Sequence, residues 1–224
     1  MLSKLRDISI PYLDQLVDSD LEALKAAAIP MRYADGELIH NRGDDKPGLS
    51  IVRSGLVRVG VIRTDGTFVI TSMLGPGQTF GEFTLFADLP RTHDIVAQGE
   101  TLVWQLPGKR FLRLCENNSK LLPALLQTSL VRNYVLLELI EAMRSLPVLE
   151  RVAKTLVILV ATARQGNEFY TRQSDLAATL GMSRPTLSTA LAKLETLNLI
   201  TRGYGRIHIS DYQSLTEWVS ARDS

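Results

Sequence analysis

Residues 171–206 read TRQSDLAATLGMSRPTLSTALAKLETLNLITRGYGR, and three positions in this stretch decide how the C-terminal part folds. Ala177, Gly181 and Leu187 stand at the spacing a helix-turn-helix requires. A small residue lets two helices approach closely, glycine permits the tight turn between them, and an aliphatic residue anchors the second helix in a core. Ser183 is placed to cap that second helix, with Pro185 in its first turn, where a missing N–H is no loss. Leu187, Ala190, Leu191 and Leu194 then form its buried stripe, and Pro185, Ser188, Thr189 and Ala192 face outward with Arg184 at the N-terminal edge. LNLITRGYGRIHIS at 197–210 follows as two short strands around Gly203-Tyr204-Gly205, the hairpin of a winged helix.

Charge agrees with a nucleic-acid surface. Thr171–Arg206 holds five Lys or Arg against two Asp or Glu, a local balance of +3 in a chain whose formal net charge is +1. That is a modest footprint for phosphate contacts in each half of a dimer. The other reading of a small helical domain with a hairpin is a protein-interaction module. Turn chemistry, buried stripe and wing together favour DNA.

Upstream, Lys120–Arg144 contains no glycine, and its one proline, Pro123, lies near the start, where a helix tolerates it. Leu126, Asn133 and Ile140 are seven apart, with Leu130 and Leu137, or Ser129, Leu136 and Met143, at the alternate positions. A seven-residue seam with one polar member predicts a helix that pairs with its twin, the asparagine fixing register; packing on the preceding domain is the plainer alternative. RSLPVLE breaks the helix at Pro147.

The first half has a different grammar. Turn signals recur at ADGE 34–37, NRGDD 41–45, Gly55, TDG 64–66 and GPGQ 75–78, with short Val-, Ile- and Leu-rich runs between them. This spacing predicts an all-β sandwich or barrel. Leu13, Leu16, Val17, Leu21 and Leu24 recur at helical spacing and predict a helix before it. The expected organisation is residues 1–118 as a sensing β-domain, 119–146 as the central helix and hinge, and 147–224 as the winged-helix domain.

Several classes are disfavoured. The longest apolar run, LVILVA at 156–161, is too short to span a bilayer, and MLSKLRDISIPYLDQ is charged where a signal peptide needs an apolar core. A cytoplasmic protein with no membrane partner is expected. One cysteine, Cys115, excludes a disulfide framework within the chain. His40, His93 and His208 are scattered rather than paired, and no nucleophile motif accompanies them, so no enzyme is expected. Haem ligation by His40 or His93 and redox sensing by Cys115 stay open at this point.

The second chemical stretch is FGEFTLFADLPRT at 80–92. Gly81 allows close backbone approach, Arg91 offers a planar fork for phosphate oxygens, the Thr92 hydroxyl adds a short hydrogen bond, and Glu82 suits a sugar hydroxyl. The candidate effector site is Gly81, Glu82, Phe83, Arg91 and Thr92. An internal Arg91–Glu82 pair that only braces the barrel is the alternative.

Nearly the whole chain resembles the bacterial regulators of the Crp/Fnr family, on the β-domain, the long central helix and TRQSDLAATLGMSRPTLSTALAKLETLNLI at 171–200. FGEFTLFADLPRT is similar to the phosphate-binding cassette of cyclic-nucleotide-binding domains. The resemblance implies an α+β chain: a β jelly roll, a dimerisation helix and a winged helix-turn-helix. It implies a homodimer through Leu126, Asn133, Leu136, Leu137 and Ile140, bound to near-palindromic double-stranded DNA with half-sites about one helical turn apart. Arg172, Gln173, Ser183, Arg184, Pro185, Thr186, Ser188 and Thr189 would contact that DNA, Arg172 and Gln173 near phosphates and Arg184 on guanine. RNA polymerase is a further partner it implies, and a nucleotide-like effector takes the place of a cofactor.

The chain departs from the family at specific points. Leu136 and Leu137 stand where cyclic-AMP-responsive activators carry a Thr-Ser pair, and neither can hydrogen-bond a base. His93 and Asp94 follow the Arg-Thr pair, and an inward Asp94 would oppose a phosphate. Pro185 and Thr189 replace the Glu and second Arg of the activator recognition helix. The expected effector is thus a small anion other than cyclic AMP in its usual pose, and the expected DNA site is not the activator's. A regulator of the same fold that needs no ligand is the alternative.

Overall fold

Glycine and aspartate turns break the first half into strands, and the chain folds them onto one another as a jelly roll. The computed structural model describes residues 2–64, 66, 68–163 and 166–222. Their contacts form two units, residues 10–129 and residues 130–224 with the N-terminal segment up to Ser9.

In the first unit the strands are β1 (Ile29–Tyr33), β2 (Leu38–His40), β3 (Gly48–Ile62), β4 (Phe68–Leu74), β5 (Thr79–Phe80) and β6 (Asp94–Pro107). They run antiparallel in the order β1-β6-β3-β4, with β2 on β6 and β5 on β3. The long β3 and β6 pair from Gly48↔Pro107 to Gly60↔Asp94, with register breaks on both sides of Ser54. Such breaks bend a strand and let one long ribbon curve around the interior. Val52, Val57, Leu74, Phe80, Ile95 and Val103 fill the interior. A separate core joins Leu49, Ile51, Trp104 and Leu106 to the helices α2 (Asp18–Ala27), α4 (Gly108–Asn117) and the start of α5 (Leu121–Ser145), through Leu24, Phe111, Leu121 and Leu125.

The predicted N-terminal helix is shorter than its leucine spacing suggests. Tyr12–Gln15 is a single 3₁₀ turn, Leu16 and Val17 are extended, and α2 begins at Asp18. Val17, counted in the stripe, is 56% exposed. Asp18 and Asp20 in the first turn suit the helix dipole and favour a start there.

The second unit holds most of α5, then α6 (Val148–Ala163), β7 (Glu168–Tyr170), α7 (Gln173–Thr179), α8 (Arg184–Thr196), β8 (Ile200–Gly203), β9 (Arg206–Ile209) and α9 (Tyr212–Ser220). Pro147 separates α5 from α6 as the sequence predicts. The wing has a third strand that the hairpin pattern does not show: β7 pairs with β9, giving the order β7-β9-β8. Val152, Leu156, Leu176, Leu187, Leu191 and Leu215 belong to the core. Leu2 and Leu5, on the 3₁₀ turn Leu2–Lys4 and α1 (Leu5–Ile8), are buried in that same core. The sequence reading places these residues with the β-domain; their packing is with the winged helix.

Among the described residues no helix is long and apolar enough to cross a membrane, and no group of three or more His, Cys, Asp or Glu could hold a metal ion.

Candidate functional site

The cassette residues converge at the junction of β5, the short helix α3 (Glu82–Phe86) and the loop before β6. Gly81 has φ +104°, which favours glycine. A Cβ there would lie 2.5 Å from the Gly48 carbonyl oxygen and 2.8 Å from Arg91 Nη1. Glycine therefore lets the arginine lie against the backbone at the start of α3. Thr79 Oγ1 donates to Glu82 Oε1 at 2.5 Å and Thr84 Oγ1 donates to the Gly81 carbonyl at 2.9 Å, which hold the turn.

Arg91 is fixed from its backbone. Its N–H donates to the Asp44 carbonyl at 2.8 Å and its carbonyl accepts from the Gly43 N–H at 2.8 Å. The NRGDD turn, legible in the sequence only as a turn, is thus the clamp that aims Arg91. The side chain is 8% exposed, and its Nε has no hydrogen-bond partner. Burial pulls the guanidinium down from its ordinary value, and the charges of Asp44 and Glu82 oppose this. A buried guanidinium with an unused donor is costly unless an anion or polar acceptor completes it.

Asp94 does not face this arginine as a competitor for an anion. Its carboxylate accepts the Arg42 N–H and the Ile62 N–H, each at 2.8 Å, and so closes backbone groups of the neighbouring turn and strand. Thr92 is exposed, with Oγ1 2.8 Å from His93 Nδ1. Phe83 is 52% exposed, and its carbonyl accepts the Ala87 and Leu89 N–H groups. On the barrel side, His40 Nε2 lies 3.0 Å from Ser50 Oγ, which donates to Gln105 Oε1 at 2.7 Å. Burial chiefly, then the charge of Arg91, pushes His40 down to about 4. Burial raises the Cys115 thiol to about 11, the behaviour of a packing residue rather than a reactive thiolate.

On the central helix the faces divide. Tyr134, Val135 and Leu139 pack on the second core. Leu126, Leu130, Leu136, Leu137 and Ile140 are each more than half exposed, and Asn133 is exposed among them. Leu126, Leu130, Asn133, Leu137 and Ile140 alternate by four and three residues, one continuous stripe on a helix.

The DNA-reading candidates lie on α7 and α8. Gly181 makes the turn with φ +61° and donates to the Ala178 carbonyl at 3.1 Å, while Met182 N–H reaches the Ala177 carbonyl at 3.0 Å. Ser183 Oγ accepts the Thr186 N–H at 3.2 Å, the predicted cap. Arg184, Pro185, Thr186 and Thr189 are exposed and Ser188 is half-buried, and Leu187, Ala190, Leu191 and Leu194 are buried. Arg172 stands at the N-cap position of α7 without a side-chain cap and is exposed, with Gln173 half-buried beside it. Two cations counted in the sequence are committed elsewhere: Arg202 pairs with Glu195 at 2.7 Å, and Arg206 with Glu168 at 3.5 Å. Arg172, Arg184 and Lys193 are the exposed cations of this stretch outside those two pairs.

Comparison with known proteins matches both units. Residues 30–118 fit the cyclic nucleotide-binding domain, and residues 150–218 fit the Crp-like helix-turn-helix domain. The "Cyclic AMP receptor protein" of Thermus thermophilus is 30% identical over 190 residues, 83% of this chain and 85% of that protein. The "HTH-type transcriptional regulator Cmr" of Mycobacterium tuberculosis is 26% identical over 196 residues, 88% of this chain and 78% of that protein. The structure of FixK2 from Bradyrhizobium japonicum shares the fold, with a TM-score of 0.67 at 20% identity over 85% of this chain and 96% of that one.

Proposed function

Because the chain belongs to the Crp/Fnr family of DNA-binding transcription regulators, we propose that it acts as a homodimer gated by a small nucleotide-like anion held at Arg91. The observation that carries this reading is the buried Arg91 guanidinium with its unpartnered Nε beside Gly81. An anion there is bound by charge and by the arginine fork. Gly81, Glu82, Phe83 and Thr92 complete the proposed site, with Glu82 suited to a sugar hydroxyl.

The Thermus relative is named for cyclic AMP. In this chain α5 offers Leu136 and Leu137, both exposed, where a base would need hydrogen-bonding partners. This supports a ligand whose base is bound differently, or one that is not adenine. The stripe Leu126, Leu130, Asn133, Leu137 and Ile140 supports pairing with a second copy, since one solvated helix face carrying four leucine or isoleucine side chains is costly for a monomer. Ligand at Arg91 acts on DNA only if it binds the DNA-competent dimer more tightly than the other state. The proposed partners are near-palindromic duplex DNA and RNA polymerase, and the proposed location is the cytoplasm.

The test is thermal unfolding with a panel of cyclic mono- and dinucleotides, for the wild type and Arg91→Ala. A ligand at a hundred times its dissociation constant stabilises by about 2.7 kcal/mol, several degrees for a domain of this size. A compound that shifts the wild type and not the variant supports the gated reading. DNA binding without response to any compound supports a regulator of the same fold that needs no ligand. Sedimentation at micromolar concentration tests the dimer, and a monomer overturns it.

A further inference from the structure

We propose that the recognition helix reads thymine by its 5-methyl group, through Pro185 and Thr189, next to a guanine read by Arg184. The inference rests on the DNA-binding reading and adds which base edges the helix recognises.

It begins from what the outward face can donate and accept. In the major groove, adenine and cytosine each present an amine that needs an acceptor, guanine presents two acceptors, and thymine presents one acceptor and a methyl group. Between Ser183 and Ala192 there is no Asp, Glu, Asn or Gln. The hydroxyls have their protons largely committed, which leaves them as acceptors only. Ser183 Oγ and Thr186 Oγ1 lie 2.8 Å apart and bond to each other. Thr189 Oγ1 donates to the Pro185 carbonyl at 3.1 Å, within the helix itself. Ser188 keeps its hydroxyl but is half-buried, and a hydroxyl serves either base role without discriminating. The helix therefore has one strong donor, Arg184, and lacks the carboxylate and amide acceptors that pick out cytosine or adenine, its hydroxyl oxygens being acceptors that do not discriminate.

What remains exposed is apolar. Pro185 offers ring methylenes, and Thr189, with its hydroxyl engaged, offers its methyl. The two stand at i and i+4, one above the other on the same face. They lie about 6 Å apart along the helix, close to two steps of the roughly 3.4 Å rise of a DNA strand. They can thus address base pairs two steps apart on one strand. Neither is placed to hold a phosphate: proline has no N–H, and the threonine hydroxyl is already bonded. The cap position accounts for Pro185 alone, while the pair with Thr189 makes a surface for methyl groups.

The experiment starts with selection of bound duplexes from a randomised library by the full-length protein. Each thymine of the selected half-site is then replaced by uracil, which keeps the pairing edge and the O4 acceptor and removes only the methyl. Wild-type affinity is expected to fall about fourfold per methyl at one or two positions, the loss of one buried CH₂ each. Thr189→Ser keeps the hydroxyl and drops the methyl, so it should bind thymine and uracil duplexes alike at its position. Arg184→Ala should relax the choice of guanine and leave the uracil effect in place. Selected half-sites with no thymine beside the guanine, or equal binding of thymine and uracil duplexes by the wild type, would overturn the methyl readout alone. Failure to retain any duplex would overturn the DNA reading and this inference with it.

Discussion

Lys154 Nζ lies 2.7 Å from Glu141 Oε2, and the lysine is only 2% exposed. Glu138 Oε2 is 3.0 Å from the same nitrogen, and Tyr134 donates its hydroxyl to Glu138 Oε1 at 2.6 Å. The lysine belongs to α6 and both carboxylates to α5, so the cluster ties together the two helices that Pro147 separates. A buried ammonium is tolerated only while its partners are charged. The consequences of removing either side are unequal. Glu138→Gln with Glu141→Gln leaves a buried lysine facing weak acceptors and is expected to cost about 3–5 kcal/mol. Lys154→Met leaves two carboxylates with access to water, the Glu141 side chain being 48% exposed, and is expected to cost much less. Urea midpoints at pH 7 measure both. Equal losses would mean that packing, not charge, holds the two helices.

Acid should weaken the protein in two steps. His40 is held neutral by burial, with its folded value lowered to about 4. The unfolded chain takes up that proton near pH 6.5, so stability present above this pH declines as pH falls toward 4, by on the order of 3 kcal/mol. The Glu141 carboxyl is lowered by the hydrogen bond from Lys154. Its contribution is present above the ordinary carboxylate range and is lost as pH falls through the depressed folded value, so it follows the histidine step. His40→Gln should remove most of the first decline and keep the second, the remainder coming from His93, which burial also lowers. A histidine ring signal that titrates near 6.5 at His40 in the folded protein would contradict the first step.

The helix-turn-helix was legible because each of its constraints falls on one residue. Gly181 must take positive φ, Ser183 must cap, and Leu187 must be buried, and each leaves a local mark in the sequence. Gly81 and Arg91 were legible as members of one cassette, but the close approach of the guanidinium to the Gly81 backbone was not. What holds Arg91 was not, since Gly43 and Asp44 act through backbone N–H and carbonyl groups that any residue has. Asp94 is similar: a carboxylate that accepts two backbone amides looks in sequence like one beside a phosphate. The N-terminal segment eluded the reading because Leu2 and Leu5 are apolar wherever they pack, and their partners lie more than a hundred residues away. Val17 shows the limit of spacing alone, as helical periodicity ran through residues where the backbone is extended.

Gly81→Ala tests the cassette at its backbone. The new Cβ would meet the Gly48 carbonyl oxygen at 2.5 Å and Arg91 Nη1 at 2.8 Å, in a conformation with φ +104°. The guanidinium could yield; the backbone carbonyl and the left-handed φ could not. A loss of roughly 1–3 kcal/mol is expected in the β-domain transition, together with loss of any ligand-induced stabilisation. Gly36, which also has positive φ but nothing within 4 Å of a Cβ, is the control. Gly36→Ala should carry the backbone cost and leave the ligand response unchanged.

The N-terminal segment should stabilise the winged-helix unit and not the jelly roll. Leu5 is 1% exposed in the second core. Arg6 places its guanidinium 3.7 Å from the centroid of the Tyr212 ring and donates to the Gly166 carbonyl and to Asn167 Oδ1, each at 2.8 Å. Tyr212 in turn donates its hydroxyl to the Leu2 carbonyl at 3.2 Å. Leu5→Ala is expected to cost about 2–5 kcal/mol, as for other large-to-small core changes. Arg6→Ala should cost about 1–2 kcal/mol, from a cation–π contact and hydrogen bonds at a partly exposed site. Hydrogen exchange followed by mass spectrometry locates the effect. Amides of α6 and α9 should exchange faster in both variants, with those of β3 and β6 unchanged. Faster exchange in β3 and β6 with α6 and α9 unchanged would show that these residues support the jelly roll instead.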